Sequence, residues 1–402
     1  MLYATDSLRH RVRRQPHGLD DVTVSLACLG TTFSVVTESD GARRAVTDLW
    51  RRCMVNAVDG PHVEVVFHQP GDEDDRALLT QLTTQAIAHA SGRYLMMHAA
   101  GVADEQGRVL ALVGRSGSGK TTSAVLLSRD HGFGYVTDET VAVQSDRAVP
   151  PFPRPLAVLD RESGVKTVKS PDELGLREAT GAAQLARIVL LDRQDELWVD
   201  SRFDQLDLLS GISELIPQLS ALPSLDRPLQ RLADLIDRCG GVYRLSFSGI
   251  GDAEAQAIRD FLDAELEAKD LWQPLERPAD DDVVRNLGLR DMRFRRGGAL
   301  DGIRVGDEAL VMVGATPIRL SGLGVTIWEA AADAPTFEEL VDRVVEEHGP
   351  HPEAESLVRE AVDSMVEAKL LGFGAPITVQ QFLASMAPQL PVASDDACCG
   401  GA

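Results

Sequence analysis

The sequence predicts an α/β core, preceded by a small β-rich region and followed by a separate domain made of a hairpin and helices. Three observations carry this. An apolar strand runs through a glycine-rich turn into a helix between Val109 and Leu127. The composition breaks between Lys269 and Asn286, where Pro274, Pro278 and the run Asp280, Asp281 and Asp282 read as a linker. Beyond it, Ala354, Leu357, Val358, Ala361, Val362, Met365 and Val366 keep the i, i+3/i+4 spacing of an amphipathic helix. A chain of 402 residues accommodates two or three such domains.

The first region alternates in strand fashion over Val22–Leu26 and over His62–Phe67. Thr47–Val55 reads as a short helix. Asp75 is the expected N-cap of a second helix over 76–90, with Leu79, Leu82, Ala86 and Ile87 on one face. Tyr94–Met97 is a strand that ends in His98-Ala-Ala-Gly101, and Gly107 turns the chain into the next strand.

Gly114 to Thr121 spells G-R-S-G-S-G-K-T, which fits G-x-x-x-x-G-K-[ST], and it lies between an apolar strand and an Ala/Leu-rich helix. The chemistry requires these residue types. Gly114, Gly117 and Gly119 let backbone N–H groups wrap a phosphate chain, and the helix N-terminus adds partial positive charge. Arg115, Ser116, Ser118 and Thr122 complete the expected nucleotide contacts. Lys120 reaches the β- and γ-phosphates, and the Thr121 hydroxyl is a ligand for Mg²⁺. ATP and Mg²⁺ are therefore the expected cofactors.

Past the loop the helix runs to about Asp130, and Gly132-Phe-Gly134 breaks it. Tyr135-Val-Thr-Asp-Glu139 is a short strand ending in two carboxylates. Asp138 follows Lys120 by eighteen positions, enough for one helix and a return strand. Adjacent strand residues face opposite sides, so the two acids take different roles. Asp138 is the expected base for an acceptor hydroxyl, and Glu139 a partner of Mg²⁺ or of His98. Prolines 150, 151, 153 and 155 preclude regular structure there. Ile188–Asp192 is an apolar strand ending in a carboxylate. Asp192 is either a Walker-B ligand of Mg²⁺ or the turn residue after a plain core strand. The strand Val242–Ser246 and a helix over 253–268 close the domain.

The net charge is −22, so a general nucleic-acid binder is excluded, for want of a basic face. Arg9, Arg11, Arg13 and Arg14 have no apolar run after them and read as a solvated arm rather than a signal peptide. No run approaches the length of a membrane span. The five cysteines are sparse and lack metal-ligand spacing, which predicts a reduced, cytoplasmic setting.

The ordered set H-A-A-G-V, G-R-S-G-S-G-K-T-T and Y-V-T-D-E-T-V resembles the HPr kinase/phosphorylase family over about 94–143, with weaker support to Asp192. The resemblance implies an HPr kinase-like P-loop core in which Asp138 is the general base of phosphoryl transfer to a serine. Glu139 then stands where that family has a second Asp, and pairs with His98. A later E-x-R-G type motif of the family is missing, and Thr121 replaces its usual Ser. The chain is in these respects more similar to kinases of lasso-peptide precursors. Arg154, in F-P-R-P, is either a substitute source of positive charge or a loop arginine.

In the last domain, Gly306–Val313 and Pro317–Leu320 form a hairpin around Gly314, and Ser321 caps a helix containing Val325, Ile327 and Trp328. Thr336-Phe-Glu-Glu339 is a capping box, Gly349 ends that helix, and Pro352 opens a third. The pattern is winged-helix-like. The strings I-R-L-S-G-L-G-V-T-I-W-E-A, P-T-F-E-E-L-V-D-R-V and E-A-K-L-L-G resemble the PqqD family of peptide-recognition domains. That resemblance implies a leader peptide added as a strand beside the hairpin at 310–320 and packed on the helix at 353–370. Glu353, Glu355, Glu360, Asp363 and Glu367 on that helix argue against DNA.

The expected boundaries are an N-terminal α/β region at 1–93, the ATP-binding domain at 94–268, a linker at 269–290, the PqqD-like domain at 291–375 and a tail at 376–402. The expected activity is phosphoryl transfer to Ser or Thr of a ribosomally made precursor peptide. The rivals are a kinase of an unrelated protein or small molecule, and a nucleotide-gated peptide chaperone. Self-association as a homo-oligomer is left open.

Overall fold

The computed structural model describes residues 22–56, 62–159, 166–194, 201–266, 271–275 and 293–373. The arginine-rich arm, most of the expected linker and the tail with Cys398 and Cys399 lie outside the described residues. The chain forms two compact units, one of residues 1–90 and 150–177, the other of 91–149 and 178–402.

The first unit opens with strands β1 (Val22–Cys28) and β2 (Thr31–Thr37), an antiparallel pair. Helix α1 (Asp40–Leu49) follows, with the Ser39 hydroxyl accepting from the Ala42 N–H at its start. The helix expected over 47–55 is thus displaced: α1 begins at this cap and ends at Leu49, and only a 3₁₀ turn, Arg51–Cys53, continues. Strand β3 (His62–Phe67) lies parallel to β2. Helix α2 (Asp72–Ala90) starts before Asp75, whose N–H already donates to the Gly71 carbonyl, and buries Leu78, Leu79, Leu82 and Ala86.

The chain then crosses into the second unit with β4 (Leu95–Ala103) and β5 (Arg108–Val113), an antiparallel hairpin, and α3 (Lys120–Asp130). Strands β6 (Gly134–Thr137) and β7 (Thr140–Val143) both pair with β4. A return to the first unit supplies the hairpin β8 (Leu156–Leu159) and β9 (Lys166–Lys169). Arg154 is buried there, with Nη1 donating to the Thr83 hydroxyl at 3.0 Å. That bond makes it a structural arginine of the first unit.

After the two-residue β10 (Arg177–Glu178), β11 (Gln184–Arg193) lies parallel to β5. Strand β12 (Arg202–Gln205), helix α4 (Leu208–Leu215), the two-residue β13 (Leu219–Ser220) and helix α5 (Pro228–Arg238) lead to β14 (Val242–Phe247), parallel to β11. Helix α6 (Asp252–Asp263) completes this part. The sheet order β6-β4-β5-β11-β14-β12 puts the phosphate-loop strand in the middle. One face packs on α3 and α6 through Leu110, Leu112, Leu127, Val189, Phe247 and Ile258. The other packs on α4 and α5 through Val109, Ala111, Ile188, Ile212 and Leu232.

The third part is built on the antiparallel sheet β15 (Trp272–Leu275), β17 (Ala299–Val305), β18 (Glu308–Val313) and β19 (Thr316–Ser321), in the order β15-β17-β18-β19. Strand β15 comes from the stretch read as a linker. A second pair, β16 (Phe294–Arg296) with β20 (Leu371–Phe373), joins the ends of this part. Helices α7 (Leu323–Ala330), α8 (Phe337–His348) and α9 (Ala354–Glu367) cover one face of the sheet. Gly322, not Ser321, caps α7, because β19 runs on through Ser321.

Strand β18 explains its own apolar run. Ala309, Val311 and Val313 face the helices, while Leu310 and Met312 join the core beneath α5. A strand covered on both faces has no reason to alternate. The third part is therefore welded to the core of the long sheet through Leu300, Ile303, Leu310 and Met312. The Asp301 carboxylate, buried on β17, accepts from the N–H groups of Leu229 (3.2 Å) and Gln230 (2.9 Å) at the start of α5. No helix among the described residues is long and apolar enough to cross a membrane.

Candidate active site

The loop between β5 and α3 takes its shape from its glycines. Gly117 and Gly119 have φ of 86° and 93°, where a side chain is strained. A Cβ on Gly114 would stand 2.5 Å from the Ser118 Oγ. That Oγ is buried and has no hydrogen-bond partner among the described residues. An orphaned hydroxyl inside a ring of glycines, at the start of an eleven-residue helix, fits a phosphate chain.

Lys120 opens α3 and is buried, with Nζ donating to the carbonyls of Gly114 (2.5 Å) and Arg115 (3.2 Å). Burial pushes its ammonium below the ordinary lysine value, and the charges of Glu139 and Asp138 pull it back. A lysine folded back on the loop carbonyls holds the loop's curvature.

Asp138 and Glu139 sit in the bend between β6 and β7, opposite the middle of β4, rather than at the end of one strand. The bend separates their roles. Asp138 turns inward and is buried, its Oδ1 accepting from the Tyr135 hydroxyl (3.2 Å) and its Oδ2 from Thr121 Oγ1 (3.4 Å). Glu139 turns to β4, with Oε1 3.1 Å from His98 Nδ1. Its carbonyl accepts from the Ala99 N–H, which pins the bend to the strand carrying the histidine. So the fold brings His98 to Glu139, and Thr121 to Asp138. A hydroxyl that donates to Asp138 keeps its lone pairs for a cation, so Thr121 suits Mg²⁺.

Asp192 lies within β11, opposite Ser246 on β14, and its Oδ2 accepts from the Ser246 hydroxyl at 3.4 Å. It lines a cavity of about 900 Å³ together with Gly114–Ser118, Arg193, Glu214 and Arg244. No bond joins it to Thr121 or Asp138 among the described residues. Arg244, on β14, is ion-paired with Glu214 of α4, which raises its already high pKa.

Sequence reasoning missed Tyr135 and the Arg193–Arg244 side of the cavity. Tyr135 sits in an apolar strand and reads as core; three residues from Asp138, it faces the carboxylate only because the chain bends between them. The one local signal for Arg193 is a charge placed just past an apolar strand ending in Asp, and it went unread.

No protein-family model matches the sequence, and no curated protein matches it. Among solved structures, the chain is similar to the HPr(Ser) kinase/phosphatase from Coxiella burnetii, with 13% identity and a TM-score of 0.25 over 41% of this chain and 95% of that one. A likeness at that level assigns no activity.

Proposed function

We propose that the protein is an ATP-dependent kinase that phosphorylates a serine or threonine of a precursor peptide held by its PqqD-like C-terminal part. The observation that carries the phosphotransfer reading is the buried Asp138 carboxylate, hydrogen-bonded to Thr121 at the end of a phosphate loop. A base beside the loop is what transfer to a hydroxyl needs and what simple nucleotide binding does not. Gly114–Thr122 and Lys120 hold the triphosphate, and Thr121 holds Mg²⁺, with Glu139 or Asp192 as the acids available to it. Asp138 takes the hydroxyl proton, and His98 fixes Glu139. A metal ion held by Thr121 would neutralise part of the phosphate charge.

The peptide reading is supported by an edge. Strand β19 pairs with β18 on one side and ends the sheet on the other, which leaves a row of backbone groups for an added strand. On α9, Leu357 is exposed and offers an apolar contact.

The test is transfer of labelled γ-phosphate to a candidate precursor by the full-length chain. Wild type labels it, Asp138→Asn does not, and Lys120→Ala loses nucleotide binding. Leu357→Asp raises the peptide KM and leaves nucleotide affinity unchanged. Labelling that survives Asp138→Asn refutes the base. Nucleotide-dependent peptide binding without labelling makes the protein a chaperone instead.

A further inference from the structure

We infer that Arg193 is the arginine that neutralises the transferring phosphoryl group, supplied from within the chain; this rests on the kinase reading above. Phosphoryl transfer spreads negative charge over the equatorial oxygens and the leaving oxygen, and a guanidinium aimed there is a large part of catalysis in many such enzymes. Lys120 is bent back onto loop carbonyls, and Arg154 is engaged with Thr83 in the first unit. Arg244 is held by Glu214.

Arg193 differs from all three. It ends β11, the strand parallel to β5, three positions beyond the Leu190–Val113 pair, and so stands level with the loop rather than with the sheet. Its Cδ lies 3.8 Å from where a Cβ on Gly119 would be, and Gly119 is the N-cap of α3. It is exposed to the cavity beside the loop and has no carboxylate partner among the described residues. Ser118 lines the same cavity, and its buried Oγ has no partner among the described residues, a second observation consistent with a polar ligand at the loop. In a chain with a net charge of −22, a guanidinium left beside a phosphate loop has a ligand as its natural counter-ion.

The step balances without further reagents. The acceptor oxygen bonds to the γ-phosphorus while the bond from that phosphorus to the β,γ-bridging oxygen breaks. The hydroxyl proton passes to Asp138, and ADP leaves with the electron pair. Arg193 offsets the charge that builds on the oxygens during this exchange and stays on β11 as the products leave.

The test compares the full-length wild type with Arg193→Ala and Arg193→Lys in binding ADP alone and ADP with Mg²⁺ and aluminium fluoride, a mimic of the transferring group. The expected result is ADP affinity within about threefold of wild type and fluoride-complex affinity lowered by roughly 100-fold or more in Arg193→Ala. Added guanidinium restores part of the loss, and Arg193→Lys restores little. Equal losses for both ligands make Arg193 an ordinary ground-state contact and overturn the inference. Unchanged binding of the fluoride complex also overturns it, as does a wild type that binds ADP but forms no such complex. The labelling of peptide by wild type and Asp138→Asn is read separately, so failure of the peptide reading and failure of the arginine are told apart.

Discussion

At Asp138, two hydroxyls from different elements converge on one buried carboxylate. Tyr135 donates to Oδ1 and Thr121 to Oδ2, so the two oxygens are held from opposite sides. Tyr135→Phe removes a hydrogen bond to a charged group, worth about 1.5–3 kcal/mol. In the kinase reading, the expected outcome is a roughly tenfold or greater fall in kcat, with nucleotide affinity and peptide KM unchanged, measured by steady-state kinetics; unchanged kcat refutes the tether. Lys120 illustrates the opposite trade. A lysine held below its ordinary value contributes stability above pH 10.5, and that stability is lost as pH falls through the depressed value. At neutral pH the charged, buried ammonium therefore costs folding free energy. Lys120→Met is expected to lose nucleotide binding yet melt higher than wild type at pH 7, with the gap closing toward pH 10.5. Thermal melts of nucleotide-free protein across that range check it, and a variant that melts lower at pH 7 contradicts it.

At the scale of elements, the two helices on one side of the core sheet are started by different means. Helix α4 has a local cap, with the Asp207 carboxylate accepting from the Ser210 N–H. That bond holds Asp207 below its ordinary value of 3.8, so its contribution is present above that pH and lost as pH falls through the depressed value. Asp207→Ala should cost about 1 kcal/mol near neutral pH. The difference from wild type should vanish in acid, which denaturant melts at several pH values will show. Helix α5 has no local side-chain cap; Asp301, more than seventy residues later, does that work. A sequence reading that looks for caps three residues upstream finds Asp207 and cannot find Asp301. The same distance explains β15 and β17. Neither has enough local pattern to declare itself, and each becomes a strand by pairing with an element already in place.

At the scale of the whole molecule, the second unit is a stack in which the C-terminal sheet is a further layer of the α/β core. Leu310 and Met312 belong to the interior of that core as much as Ala309 and Val311 belong to the C-terminal helices. Ile303→Ala should therefore cost about 2–5 kcal/mol. It should also speed amide exchange in α5 as well as in β17, measured by hydrogen exchange; exchange confined to the C-terminal part would mean that it folds alone. What the sequence determined by itself is the part ruled by short-range chemistry. The phosphate loop needs glycines at set spacings, the β5 and β11 strands need apolar runs, and the Thr336 capping box needs its Glu three residues on. The return of Asp138 and Glu139 to the side of the loop was legible too, because a strand, a loop, a helix and a return strand leave few ways to close. Of the two roles left open for Glu139, the structure shows the contact with His98, and the approach of Thr121 to Asp138 came only with the structure. Only the tertiary structure decided that Tyr135 holds Asp138, that Arg193 stands level with Gly119, and that Asp301 caps α5. Those contacts depend on the bend after β6, the parallel register of β11 with β5, and the burial of both faces of β18. Each is set by long-range packing that no local window contains.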